Sequence, residues 1–307
     1  QLLDTLESLA DLSAGDYHNC GIRRSDRSLV CWGRNDHSQL GDGTQVDRQI
    51  PQVLPNTAQT DGVVAGRAHT CAWAAGGLFV SCWGRGQEGQ LGDGLARDSA
   101  AQVLVQLPRV SGLAVAYTHT CAVLDTGGVR CWGANDKGQL GNGSQLTKIR
   151  PHPVNDMSNA VQVSATWDHT CVVTNDNEVW CWGWSADGQV GSGLTESVLV
   201  PTRVTNASGA IEVAAGGQHT CVRKLDGQVL CWGANAAGQL GNGTRTSSTH
   251  PVVVNTRRSA VSLRAGYHHN CMITVEAEMK CWGYNEYGQL GDDTLSDRSV
   301  PVPVFEL

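Results

Sequence analysis

The residues best able to do chemistry are twelve cysteines, which recur in local pairs along the whole chain. Metal binding is the alternative use of such pairs, but a separation of ten or eleven residues matches no usual zinc-finger spacing. An even number of cysteines in regular register is typical of disulfides formed in an oxidising compartment. We therefore predict export, no metal site, no cofactor and six disulfides. The predicted pairs are Cys20 with Cys31, Cys71 with Cys82, Cys121 with Cys131, Cys171 with Cys181, Cys221 with Cys231, and Cys271 with Cys281.

A histidine stands two residues before the first cysteine of every pair, so a ring of six imidazoles is a second candidate metal site. These histidines recur with the repeat, however, and no carboxylate accompanies them at a fixed spacing. A residue that repeats with the scaffold is more simply structural, and we predict that each caps a turn or forms a hydrogen bond within its own repeat. The six are His18, His69, His119, His169, His219 and His269.

Motifs of known catalytic sites are missing from the sequence. It contains no Gly-x-Ser-x-Gly run, and its Gly-Gln-Leu-Gly runs lack the lysine and the following helix of a phosphate-binding loop. We therefore predict that the chain is not an enzyme. A site assembled from scattered carboxylates at the mouth of a central channel is the less favoured alternative.

The charge and hydropathy of the chain restrict its partners. Its 22 basic and 29 acidic residues leave a net charge of −7, which repels nucleic-acid phosphates, so we expect no nucleic-acid partner. No apolar stretch is long enough to span a bilayer, and we expect no membrane insertion. The first residues, from Gln1, do not read as a signal segment, which suggests a processed or trimmed chain.

The spacing of the cysteines shows that the chain is an internal repeat. The first cysteine of each pair recurs after 51 residues and then after 50, so six copies of one unit fill residues 1–307 as one predicted domain. Each copy has four strand-like runs, which in the fourth copy are 161–165, 169–174, 179–184 and a segment opening at Pro201. Four short strands per copy predict an all-β, six-bladed β-propeller with four antiparallel strands in each blade.

The ends of the chain fit the same scheme. The chain begins with the first strand of a unit, 9–14, and ends with the last strand of the preceding one, 301–305. We therefore predict that the N- and C-terminal strands pair in one blade and close the ring. Leucines at 2, 3, 6 and 9 would also suit a short helical turn.

The two cysteines of a pair lie on consecutive strands joined by a short turn, so each disulfide should lie within one blade. The first strand of this hairpin leaves an Ala-Gly-x-x loop and the second returns to a Trp-Gly-x-Asn loop. Both loops must emerge at one end of the hairpin, and propeller symmetry places all twelve on one face. The tryptophan after each second cysteine repeats with the scaffold and is predicted to pack between blades.

The residues that vary between repeats are concentrated in these loops, and they include all five tyrosines of the chain. Aromatic and arginine side chains are the ones that binding hot spots favour, since they bury a large area with few torsions. We predict a protein partner at this surface, with a glycan as the alternative; packing of these side chains on one another around the channel is the structural alternative. The predicted binding residues are Tyr17, Arg34, Arg67, Arg85, Tyr117, Trp167, Trp184, Tyr267, His268, Tyr284 and Tyr287.

The Ala-Gly-x-x-His-Thr-Cys and Cys-Trp-Gly-x-Asn-x-x-Gly-Gln-Leu-Gly runs resemble the regulator of chromosome condensation repeat family over essentially the whole chain. The cysteine-bearing form looks like secreted bacterial relatives, a branch of which inhibits β-lactamases by covering them with one face of the ring. The family's nuclear exchange factor is intracellular and lacks blade disulfides, so exchange-factor activity is not expected. The resemblance implies a secreted, cell-surface or periplasmic protein-binding propeller, used as an inhibitor, an adhesion protein or part of a surface assembly.

Overall fold

The computed structural model describes residues 8–256 and 259–305. These residues form short β-strands joined by turns, and they divide into two compact units. The first unit comprises the chain up to residue 136 together with 144–154, and the second comprises 137–143 and the chain from 155 onward. The prediction of a single domain over 1–307 stays a prediction, and the helical turn predicted at leucines 2, 3 and 6 lies outside the described residues.

The first unit contains three four-stranded antiparallel sheets, the first to third blades, and each is built from one contiguous repeat. The strands follow one another in sheet order as they do in sequence, as in a propeller blade. They are β1 Leu9–Ala14, β2 His18–Arg23, β3 Leu29–Gly33, β4 Arg48–Val53, β5 Thr60–Ala65, β6 His69–Ala74, β7 Phe79–Gly84, β8 Ser99–Val105, β9 Val110–Val115, β10 His119–Leu124, β11 Val129–Gly133 and β12 Lys148–Pro153.

The second unit contains the fourth to sixth blades, built in the same way. The predicted all-β fold of six blades, each with four antiparallel strands, is thus confirmed. The strands are β13 Ala160–Thr166, β14 His169–Thr174, β15 Val179–Gly183, β16 Val198–Arg203, β17 Ala210–Ala215, β18 His219–Lys224, β19 Val229–Gly233, β20 Ser248–Val253, β21 Ala260–Ala265, β22 His269–Thr274, β23 Met279–Gly283 and β24 Arg298–Pro303.

The terminal strands do not share a blade, so the predicted pairing of the N- and C-terminal strands is wrong. β1 pairs with β2 and β24 pairs with β23, which places them in different sheets. Each repeat already holds four consecutive strands, joined by connections far shorter than the whole chain. Pairing between such neighbours closes short loops, which costs less chain entropy than joining the two ends of the chain.

The disulfides lie within the blades, as predicted. In the fourth blade Cys171 faces Cys181 across the β14–β15 hairpin, and all six pairs have Cα atoms 4.1–4.2 Å apart. All twelve cysteines are in the described part of the chain and none is free. The fourth strand begins three residues earlier than predicted, at Val198, and Pro201 lies inside it. Because this is an edge strand, the missing proline N–H leaves no partner unsatisfied.

The hydrophobic core of each unit lies between neighbouring blades. Between the fourth and fifth blades, Val173 and Val179 pack against Val213, Val222 and Trp232, all of them buried. Equivalent clusters lie between the first and second, the second and third, and the fifth and sixth blades. At each of these four junctions, one face of a blade packs on the next blade along the chain. No helix long and apolar enough to cross a membrane occurs among the residues described.

Candidate functional site

Within each unit, the repeated tryptophan and histidine side chains join neighbouring blades. In the second unit, the indole Nε1 of Trp232 and the hydroxyl of Thr220 both donate to the backbone carbonyl of Gln189, each at 2.9 Å. The ring Nε2 of His169 lies 3.0 Å from the same hydroxyl oxygen. Since the hydroxyl proton goes to Gln189, His169 must donate from Nε2. We call this arrangement of histidine, hydroxyl, carbonyl and indole the blade lock.

The blade lock recurs with one substitution. Between the fifth and sixth blades Asn270 takes the place of threonine: its Oδ1 accepts from His219 at 2.9 Å, and its Nδ2 donates to the Gln239 carbonyl at 2.8 Å. The predicted packing of the tryptophans between blades is confirmed, whereas the histidines bond to the next blade rather than within their own. The other described carbonyl sets are Gln39 with Thr70 and Trp83, Gln90 with Thr120 and Trp132, and Gln139 with Thr170 and Trp182.

Burial keeps these imidazoles neutral. It lowers the pKa of His18 and of His219 to about 4 and that of His69 to about 3. The Nδ1 atoms of the three rings are enclosed and have no hydrogen-bond partner in the described structure. No group of three histidine, cysteine, aspartate or glutamate side chains is placed to hold a metal ion within 8–256 and 259–305. The geometry therefore assigns the repeated histidines to the scaffold.

The variable loops of the first unit bring together the five binding residues predicted there. The guanidinium carbon of Arg67 lies 5.8 Å from the ring centre of Tyr17 and 4.3 Å from that of Tyr117. Arg34 lies 5.2 Å from Tyr17, and Arg85 lies 5.8 Å from Tyr117. Arginine and tyrosine thus alternate across the loops of three blades within the range of cation–π contact. We call these five residues the arginine–tyrosine cluster.

The three arginines of this cluster differ in their ion pairs. Arg34 forms a close pair with Asp36 at 2.5 Å, and Arg85 lies 3.9 Å from Glu88. Arg67 has no carboxylate oxygen within 4 Å among the residues described. Burial raises the pKa of Asp16, and the nearby charge of Arg67 opposes that rise. Arg67 is therefore the guanidinium of the cluster with the most donors left for a partner.

The variable loops of the second unit bring the other six predicted binding residues together. Neighbouring rings lie 4.2–6.1 Å apart between centres, and most pairs meet edge to face. Tyr287, at 84% exposure, and Tyr267, at 40%, are fractionally the most exposed of the six. We call this set the aromatic cluster. In order of contact its members are Trp184, Trp167, Tyr267, His268, Tyr284 and Tyr287.

The fifth blade contributes no ring to the aromatic cluster, and the glycine at that position determines which rings can meet. Gly217 stands where the fourth blade has Trp167 and the sixth has Tyr267. A Cβ on Gly217 would lie 2.9 Å from the Tyr267 ring, so only glycine leaves room for that ring to reach the fourth blade. Trp167 itself has a φ of 23°, a region costly for residues other than glycine and one that concentrates at functional sites.

Two titratable groups of the aromatic cluster are shifted. A hydrogen bond from Tyr284 to Glu286 raises the pKa of the phenol to about 12, so this hydroxyl stays protonated at neutral pH. Burial lowers the pKa of His268, partly opposed by the charge of Asp187. The cluster therefore presents neutral rings with polar edges at neutral pH, a surface suited to stacking and hydrogen bonding rather than to proton transfer.

Sequence reasoning missed one set of exposed side chains and one cleft. The long loops between third and fourth strands carry aliphatic residues that are 43–68% exposed. In the sequence, each of these residues is an apolar side chain within an otherwise polar turn segment, and this pattern could have identified them. In the second unit a shallow polar cleft lies at the hairpin-turn end, with Arg203 and Lys224 in its lining. The aliphatic residues are Val46, Leu95, Leu146, Leu194 and Leu295.

Comparison with protein families gives one match over the full sequence. The model described as the RCC1-like domain matches residues 1–307. The chain belongs to the RCC1-like domain family. The predicted resemblance to the regulator of chromosome condensation repeat family is thereby confirmed.

Curated relatives of this RCC1-like chain match parts of it. The ultraviolet-B receptor UVR8 of Arabidopsis thaliana is 33% identical over 125 residues, which cover 39% of this chain and 28% of the receptor. The probable E3 ubiquitin-protein ligase HERC4 of Homo sapiens is 33% identical over 167 residues, covering 51% of this chain and 16% of the ligase. The chain thus spans less than a third of the length of these relatives.

Solved structures share the RCC1-like fold at low sequence identity. Human WBSCR16 superposes with a TM-score of 0.88 at 24% identity, covering 97% of this chain and 82% of that one. Yeast RCC1 (Prp20), solved bound to Kap60, superposes with a TM-score of 0.85 at 20% identity, covering 96% and 74%. These likenesses show the fold.

Proposed function

We propose that this RCC1-like chain is an extracellular protein-binding module whose partner contacts the arginine–tyrosine and aromatic clusters. The observation that carries the proposal is that the repeated residues and the variable residues have different structural roles. The side chains that repeat in every blade are used up in blade locks and disulfides, whereas the variable loop side chains contact one another at the surface of each unit. A surface that varies over an invariant scaffold is what a binding module requires.

The chemistry of the two clusters supports a protein partner. Tyrosine, tryptophan and arginine dominate binding hot spots because they bury large areas and keep a polar tip. In the clusters these side chains are already restrained by their neighbours, so less side-chain entropy is lost on binding. That the five and the six residues form two contact networks is observed; that a partner covers them is our proposal.

The comparisons support binding at the level of the fold. Yeast RCC1 was solved bound to Kap60, and a second structure of the same yeast protein, Prp20p, is described together with its binding to Gsp1p and histones. Those partners belong to that protein. We transfer only the use of an RCC1-like propeller as a protein-binding scaffold, and we propose no catalytic activity for this chain.

The test is capture of a partner by the immobilised chain from its native extracellular medium, followed by identification of the bound protein and measurement of its affinity. Alanine at Trp167 and at Tyr267 should each weaken that affinity by about tenfold or more. Phe79→Ala is the control, since Phe79 is an exposed aromatic residue near a hairpin turn and belongs to neither cluster. Equal affinity of the wild type and both cluster variants would refute the proposal.

A glycan is the second candidate ligand, favoured by the exposed ring of Tyr287, because tyrosine and tryptophan rings also stack on sugars. A glycan array probed with the wild-type chain and with Tyr287→Ala distinguishes the two. Selective binding to one glycan family that is lost in Tyr287→Ala would favour the glycan, whereas an array without hits would eliminate it.

We propose a secreted, cell-surface or periplasmic location on the basis of the disulfides. Six disulfides in a chain without free cysteines suit an oxidising compartment, since reducing compartments keep such thiols reduced. Alkylation of the native material before lysis, followed by mass mapping, tests this. Alkylated cysteines in freshly trapped native protein would contradict the proposed location.

A further inference from the structure

The outer strand of the second blade, β8, is a sheet edge without proline. It lies at the end of the order β5-β6-β7-β8, so one side of its backbone faces no other strand among those described. Where β8 has Gln102, the outer strand of every other blade has a proline, whose nitrogen must point away from the sheet. The N–H of Gln102 therefore points outward, at a position where the other blades have no donor. Those prolines are Pro51, Pro151, Pro201, Pro251 and Pro301.

The edge of β8 also lacks a hydrogen bond that covers the outer strands of the later blades. In the third to sixth blades a backbone carbonyl of the outer strand accepts from a glycine N–H in the long loop of the preceding blade. The equivalent bond would join Gly43 to Ala100, and it is not formed within 8–256 and 259–305. A Cβ on Gly43 would meet nothing within 4 Å, so this glycine stands clear of β8. The bonds that are formed join Gly94 to Ile149, Gly143 to Leu199, Gly193 to Thr249 and Gly243 to Ser299.

The side chains of β8 leave this edge unprotected as well. Residues 99–108 include no charged side chain, whereas each of the other five outer strands contains an arginine, lysine or histidine. Charged side chains and prolines are the usual means of keeping sheet edges from pairing with other chains. Leu104, two residues after Gln102, is 53% exposed. β8 thus presents an uncharged, partly apolar edge with its backbone groups open to a further strand.

We propose that β8 pairs with β8 of a second copy of this chain, antiparallel and about a two-fold axis at Gln102. Alternate residues of a strand turn their backbone groups to the same side, so Ala100, Gln102 and Leu104 share the free edge. Gln102 is the central residue of β8, Ser99–Val105. An axis there sets Gln102 opposite its own counterpart and Ala100 opposite Leu104 of the second copy. Donors then meet acceptors, and two four-stranded blades become one eight-stranded sheet.

Self-complementarity is what selects a second copy as the occupant. Like charges that face each other across an antiparallel pair are destabilising. In this register Asp98 lies opposite Gln106 of the second copy, and Arg97 lies opposite Leu107, so no like charges are opposed between residues 97 and 107. β8 contains no member of the arginine–tyrosine or aromatic cluster. The proposal is therefore independent of the proposed partner of those clusters, and a failure of one leaves the other standing.

Sedimentation velocity of the full chain over a concentration series tests the pairing. The wild type should pass from monomer to dimer as its concentration rises. Gln102→Pro should raise the dissociation constant of the dimer by about tenfold or more, because proline removes an edge donor. Gln102→Ala is the matched control: it retains the N–H, and its dissociation constant should stay within about threefold of the wild-type value.

Gln102→Pro should fold normally, because five blades of this chain already have proline at that position. Its melting temperature, measured at a concentration where both proteins are monomeric, should lie within about 2 °C of the wild-type value.

Amide hydrogen exchange of the wild type gives a readout that needs no variant. The N–H groups of Gln102 and Leu104 should exchange about tenfold more slowly in the dimer than in the monomer, because pairing removes them from water. Val103 turns its N–H towards β7 and serves as the internal reference, with the same rate in both states.

Three results would overturn the proposal. One is a wild-type chain that stays monomeric up to about 1 mM, which is the outcome expected if an extended segment of a different protein occupied the edge. Another is equal dimerisation of the wild type and Gln102→Pro, since the contact would then lie elsewhere, as on the loop clusters. The third is growth into species larger than a dimer, because a two-fold pairing of β8 edges closes at two copies.

Discussion

Trp167 and Tyr267 meet edge to face, with ring centres 5.2 Å apart and planes at 87°, although they belong to the fourth and the sixth blades. The contact exists because the intervening blade has Gly217 at the equivalent position, against which the Tyr267 ring lies. The aromatic cluster is therefore continuous across a blade that contributes no ring to it.

Gly217→Ala should separate these two rings. The added Cβ would stand 2.9 Å from the Tyr267 ring, closer than real contacts allow, so the ring must move. We expect a weaker near-ultraviolet circular dichroism signal, together with weaker capture of the partner. Gly112→Ala is the control, because a Cβ there meets nothing within 4 Å. An unaltered aromatic signal in Gly217→Ala would show that the contact does not persist in solution.

Thr220→Val should destabilise the chain through the blade lock. The substitution keeps the size of the side chain but removes the hydroxyl that accepts from His169 and donates to Gln189. Leaving those buried groups short of a partner costs about 1–3 kcal/mol in the free energy of unfolding. Urea denaturation measures the loss, and Thr220→Ser, which retains the hydroxyl, should lose less. Equal losses in the two variants would assign the effect to packing instead.

The free energy of unfolding should fall as the pH is lowered from 6.5 towards 4. Burial lowers the pKa of His18 and His219 to about 4 and of His69 to about 3, so the unfolded chain binds more protons than the folded one in this interval. Stability is complete above the ordinary histidine pKa of 6.5 and is lost below it, at about 1.4 kcal/mol per pH unit for each such histidine.

Urea denaturation between pH 7 and pH 5 measures this slope, in a range where most carboxylates remain ionised. His219→Gln removes one titrating group and retains a donor amide. The fall in the free energy of unfolding per pH unit should therefore be smaller than in the wild type by up to about 1.4 kcal/mol, the contribution of one proton. A free energy of unfolding that does not change over this range would contradict the burial of neutral imidazoles.

Removal of one disulfide should destabilise the chain without changing its fold. The double change Cys171→Ala and Cys181→Ala opens a loop closed over a separation of ten residues. The chain-entropy model assigns such a loop about 2–3 kcal/mol. Guanidinium denaturation measures the difference, and Thr195→Ala, at an exposed site in the same blade, should have no measurable effect. A loss in the free energy of unfolding no larger than that of Thr195→Ala would show that this disulfide does not stabilise the chain.

Most local structure followed from the sequence because the information was local. The cysteine register indicates the hairpins and their disulfides, since opposed residues on neighbouring antiparallel strands have the Cα separation that a disulfide tolerates. The six copies likewise imply six four-stranded blades, and the choice of variable loop residues singled out all eleven members of the two clusters. That these clusters bind a protein, and that all twelve loops share one face, stay predictions.

Relationships between distant residues were decided by tertiary structure alone. The repeat pattern is equally compatible with terminal strands that share a blade and with terminal strands that do not, so the sequence could not choose between them. Nor could it show that His169 bonds to Thr220 in the next blade. The contact of Tyr267 with Trp167 and the exposure of Met279 to solvent were equally hidden from sequence reasoning. Such contacts depend on how one blade is placed on the next, and a repeating sequence encodes the same local hairpin whether or not a neighbour covers it.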